Sequence, residues 1–78
     1  MVLDPCSEAR SLAVSLRGGG LGDWASKLED IVDGGSTATE ILMGLRWTAG
    51  QILDDPRLDQ ATRSRLESLR AAVDSLLA

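Results

Sequence analysis

Cys6 is the only cysteine in a chain without histidine, so a thiol nucleophile would lack the imidazole that most often takes its proton. Its place on the apolar side of the first predicted helix suits a packed, structural thiol instead. Acidic residues occur as sequence neighbours, Glu29-Asp30 and Asp54-Asp55, but adjacent residues on a helix point about 100° apart and do not make an acid/base pair. A calcium loop needs ligands at alternating positions of about twelve residues closed by a glutamate, and no segment has that pattern. Zinc sites ask for several Cys or His ligands. The residue types therefore imply no catalytic residue, no metal, no cofactor and no enzymatic activity, which leaves surfaces as the place to look for function.

The surface constellation that stands out is Met43, Arg46, Trp47 and Gly50. At about 100° per residue, Met43, Trp47 and Gly50 fall opposite an apolar stripe of Ala38, Ile41, Leu42, Leu45, Ala49, Ile52 and Leu53, with Arg46 beside them. Aromatic, Met and Arg side chains concentrate at the centres of protein interfaces, which makes these four the expected partner-binding residues. The competing reading is structural: the helix is central, one face meets helices 1 and 2, and the other meets helix 4. Gly44 and Gly50 would then admit a close neighbour, at about 1 kcal/mol each relative to Ala. Trp24 lies at the edge of a different stripe and reads as a core or core-rim residue whose indole N–H reaches a carbonyl or water.

Four segments with the 3.6-residue apolar period must position these residues, and none alternates at period two. Helix 1 is predicted over about 5–17, with Asp4 as cap, Pro5 in the first turn, and Cys6, Ala9, Leu12, Ala13 and Leu16 on one face. Gly18-Gly19-Gly20 ends it. Helix 2, about 21–32, buries Leu21, Trp24, Ala25, Leu28, Ile31 and Val32 and turns Asp23, Lys27 and Asp30 to solvent. Gly34-Gly35 is expected to supply a left-handed C-terminal residue. Helix 3, about 37–53, starts at Ser36 or Thr37, and with Thr37 as the cap Glu40 completes a capping box; it stops at Asp54-Asp55-Pro56. Helix 4, about 60–77, takes Asp59 as cap and turns Leu58, Leu66, Leu69, Val73, Leu76 and Leu77 inward. Short connections favour antiparallel neighbours. The expected fold is a single helical domain over 1–78, all-α, a small four-helix bundle built from two antiparallel helical hairpins.

Charge and composition narrow the partners. A chain of 78 residues with thirteen Leu and no Phe or Tyr has a thin core, and association would add buried surface, so a homo-oligomer is expected. A net charge of −4 opposes phosphate neutralisation, so no nucleic acid is expected. A helix-turn-helix reading of helices 2 and 3 would put Thr37, Thr39, Glu40, Met43, Arg46, Trp47 and Gln51 in a groove, with one cation among them. The interleaved charges of helix 4, Asp59 with Arg63, Arg63 with Glu67 and Arg70 with Asp74, are spaced as i,i+4 pairs on a solvated face. The single cysteine, Asp4 and Glu8 near the N-terminus, and the lack of a long apolar run point to the cytoplasm, away from export and membranes. A protein partner is expected, a basic one by charge, for an adaptor or an inhibitor of the immunity or antitoxin kind. That last step is analogy from size and acidity.

One segment resembles a known family. Gly34-Gly35-Ser36 followed by Thr39-Glu40-Ile41-Leu42-Met43-Gly44-Leu45 is similar to the attachment region of acyl and peptidyl carrier proteins, which are small, acidic four-helix domains. The resemblance implies Ser36 as the attachment site for phosphopantetheine. It covers about a dozen residues. Gly35 stands where the family has Asp or His, Thr37 where it has Leu, and helix 2 occupies what is a long loop there.

Overall fold

The computed structural model describes residues 4–78, which form α1 (Pro5–Gly18), α2 (Gly22–Gly34), α3 (Ala38–Leu53) and α4 (Gln60–Leu77). The all-α expectation holds, and no strand occurs among the described residues. Local chemistry sets the helix starts. Asp4 accepts from the Cys6 N–H at 3.1 Å and from the Ser7 hydroxyl at 3.0 Å, and Asp59 accepts from the Thr62 N–H at 2.7 Å. Thr37 accepts from the Glu40 N–H at 3.1 Å, while the Glu40 carboxylate takes the N–H of Ser36 at 3.2 Å, one residue before the reciprocal position of a standard capping box. Leu21, placed inside helix 2 from sequence, is its N-cap and makes no side-chain cap.

Two glycines need their lack of a side chain for different reasons. Gly20 turns the α1–α2 connection at φ +83, a conformation that L side chains rarely adopt. Gly35 is not left-handed, contrary to expectation: its φ is −71 and its ψ 135. A Cβ there would overlap Cγ1 of Ile41, so the tight passage between α2 and α3, not the turn's handedness, excludes one.

The helices close into a ring. α1 packs on α2, α2 on α3 and α3 on α4, and α1 completes the circuit against α4. Cross-links identify the antiparallel hairpins: Arg10 with Asp33 and Arg17 with Glu29 between α1 and α2, and Arg46 with Asp74 between α3 and α4. The radius of gyration of 11.4 Å is that of a compact chain of this length, about 11.5 Å. At the centre, Leu12, Leu16, Leu28, Leu45, Ile52, Leu66, Leu69 and Val73 are fully buried, each burial stabilising by about 1.5–3 kcal/mol. Ala9, Ala13, Ala25 and Ala49 are fully buried too, and their small side chains let the backbones approach.

Several expectations on the helix faces need correction. Ala38 and Leu76 are exposed: Ala38 opens α3, and in the last turn of α4 it is Leu77, not Leu76, that packs against the core. Cys6 is half-buried, not packed inside. Thr48 and Thr62 are buried and were missing from the expected core. Thr48 lies at the edge of the expected α3 stripe by angle, on the α2 side, and the buried face of α3, Leu45, Thr48, Ala49 and Ile52, is turned toward it. The i,i+4 pairs expected on α4 are absent among the described residues. Two of its cations reach across to other helices instead: Arg65 donates to Glu8, Ser11 and Ser15 of α1, and Arg63 donates to the Leu53 carbonyl at 2.7 Å. An inter-helix partner fixed by packing costs less side-chain freedom than a pair formed on a solvated face.

Candidate protein-docking surface

The outer face of α3 carries the residues singled out from sequence. Its inner face is closed by Leu45, Thr48, Ala49 and Ile52, all fully buried. Half a turn round the same helix, Met43 is 51% and Trp47 61% exposed. The structural alternative, in which α4 covers this face, is therefore overturned. α4 meets the flank of α3 and leaves the face opposite the core open, because a ring of four helices gives each one two neighbours and an outside.

Trp47 forms a ridge between two grooves. On the α4 side, Met43, Arg46, Trp47, Gly50, Gln51, Asp54 and Arg70 line a groove of about 580 Å³. All four residues expected to bind a partner, Met43, Arg46, Trp47 and Gly50, meet here. A Cβ on Gly50 would come no nearer than 3.8 Å to anything, the nearest atom being the tip of Arg70. Gly50 therefore keeps the groove deep without admitting a neighbouring helix. On the α2 side a second groove of about 450 Å³ runs past Lys27, Ile31, Gly35, Gly44 and Trp47. Gly44 does have the expected packing role, since a Cβ there would stand 3.0 Å from Cγ2 of Ile31. Thr48 lies beneath this groove, and its hydroxyl has no hydrogen-bond partner.

Lys27 was expected to point to open solvent. Its Nζ lies 5.5 Å from the ring centroid of Trp24 and 5.6 Å from that of Trp47, within cation–π range of both. Lys27, Gln51, Asp54 and Arg70 were not among the candidate site residues. Gln51 and Asp54 follow Trp47 by four and seven residues, so the spacing of α3 could have signalled them, whereas Lys27 and Arg70 join only through the way α2 and α4 flank α3.

Trp24 is anchored. Its indole N–H donates to Asp55 Oδ2 at 2.9 Å, so its partner is a carboxylate where a carbonyl or water was expected. Arg57 grips the same carboxylate with Nε at 3.1 Å, Nη2 at 2.8 Å and its own backbone N–H at 2.9 Å. The Arg57 guanidinium, then the Trp24 indole and the Arg57 N–H, hold the Asp55 carboxyl well below the usual carboxylate range. The Asp54-Asp55 dipeptide thus divides its work. Asp55 ties α2 to the α3–α4 connection, and Asp54 stands exposed at the end of the outer groove.

Ser36 is exposed just before α3, its N–H already held by Glu40. α2 fills the stretch that is a loop in carrier proteins, as the sequence implied. No three residues of metal-ligating type cluster among the described residues, and no helix there is long and apolar enough to cross a membrane. Comparison with protein-family models, curated proteins and solved structures gave no match to this chain.

Proposed function

We propose that this chain is a non-enzymatic protein-interaction module, an adaptor or inhibitor acting in the cytoplasm, that docks its partner on the outer face of α3. The observation that carries this reading is the exposure of Trp47 and Met43 side by side on a helix whose other face is sealed. Apolar side chains of this size, flanked by grooves and rimmed by charges, match the anatomy of an interface centre. A ridge between two grooves gives a partner both a knob to enclose and hollows to fill. The lone cysteine supports the compartment.

Immobilised wild-type and Trp47→Ala chains, exposed in parallel to an extract of the source cells, test this reading. Proteins retained by the wild type and lost with Trp47→Ala are expected, with unchanged helicity and cooperative unfolding in the variant. Identical retention by both chains would place the docking surface elsewhere and end this reading.

A further inference from the structure

Resting on that reading, we infer that the partner seated on the α3 face is a second copy of the chain, related by a two-fold axis. Charge is the first ground. The residues lining the two grooves include three cations, Lys27, Arg46 and Arg70, against three carboxylates, Asp30, Glu40 and Asp54. The patch is neutral although the chain carries −4, so all the excess negative charge lies elsewhere. Two like-charged copies repel least when they meet through their neutral faces. A basic foreign protein would be drawn away from this patch, toward the rest of the surface.

Self-complementarity is the second ground. A two-fold interface uses the same patch on both copies, so the patch must contain both halves of every contact it makes. Here the Trp47 ridge stands beside its own groove, into which the other copy's ridge fits. Arg70 and Asp54 line that groove, both are exposed, and among the described residues neither has an ion-pair partner. In a two-fold dimer the Arg70 of each copy meets the Asp54 of the other, giving two charge-assisted pairs around two enclosed indoles.

Sedimentation equilibrium of the purified full chain, from micromolar to millimolar concentration, tests this with four variants. The wild type is expected to be a dimer. Trp47→Ala, Arg70→Asp and Asp54→Arg should each raise the dissociation constant by about tenfold or more, since every 1.4 kcal/mol lost is tenfold. The double variant Arg70→Asp with Asp54→Arg should recover most of the affinity. These positions are exposed, and circular dichroism on each variant confirms that it folds. A wild-type dimer indifferent to Trp47→Ala, or single charge reversals that the double variant fails to rescue, would overturn the inference. So would a wild type that stays monomeric. If that monomer still captures a foreign protein through Trp47, the interaction reading survives alone; if it captures none, both fall.

Discussion

Trp24 and Trp47 stand on adjacent helices and share one lysine, yet their surroundings differ in every other respect. Trp24 is half-buried against the core, and its N–H is taken by a carboxylate that Arg57 also holds. Trp47 is mostly exposed and makes no hydrogen bond to the rest of the chain among the described residues. The same side chain thus serves as a fastening in one place and as an offered surface in the other. Hydropathy does not separate them, since both rings are apolar with a polar edge. What separates them is whether another element of the chain arrives to satisfy that edge. For Trp24 the α3–α4 connection does, and for Trp47 nothing in the monomer does.

Substitutions can break this contrast, and the largest effect is expected on the sealed side of α3. Leu45→Ala removes a fully buried side chain and should cost about 2–5 kcal/mol in a denaturant melt. At Trp24 the loss should be next in size: truncating a buried aromatic costs about 3–5 kcal/mol, and a half-buried one falls at or below the lower end. A Trp24→Ala chain as stable as wild type would dissolve the distinction between the two sites.

The fastening should also be visible in the pH dependence of stability. The folded chain holds Asp55 below its ordinary pKa, so it contributes stability that is present above the unfolded value of about 3.9. That stability is lost as pH falls through the folded value, because the unfolded chain binds the proton first. Thermal melts of wild type should therefore lose Tm steeply on acidification below about pH 4. Asp55→Asn should begin with a lower Tm at neutral pH and decline less over the same window.

The smallest effects belong to the outer face. Gly50→Ala meets no atom nearer than 3.8 Å and removes a flexible residue from a helix, so it should stabilise the chain by about 0.4–1 kcal/mol. It also makes the groove shallower, so it should weaken whatever docks there. Calorimetry and an association assay on one sample would show the two changes with opposite sign. Trp47→Ala should stay within about 0.5 kcal/mol of wild-type stability, and a larger loss would mean that Trp47 helps hold the fold.

Much of the architecture was legible in the residue order. Asp4, Thr37 and Asp59 cap the helices they were expected to cap, and the Leu, Ile and Ala stripes turn inward with few exceptions. Errors fell at helix ends, as with Ala38 and Leu76, and at Thr48, which lies at the edge of the expected stripe and is buried because the neighbouring helices reach further round α3 on that side. The candidate site was half legible. Met43, Arg46, Trp47 and Gly50 share a face by helical spacing alone, as Gln51 and Asp54 do, whereas Lys27 and Arg70 join them only through the packing of α2 and α4 around α3.

Local forces explain what the sequence determined: capping hydrogen bonds, glycine and proline breaks and the 3.6-residue period all act within a few residues, and they specify four helices and the inward side of each. Whether the outward side of α3 would be covered was beyond their reach, since spacing along one helix says nothing about where another will lie. The tertiary ring decided it. By giving each helix two flanking neighbours, it left Trp47 and Met43 uncovered and brought Asp55 from a distant connection to the indole of Trp24.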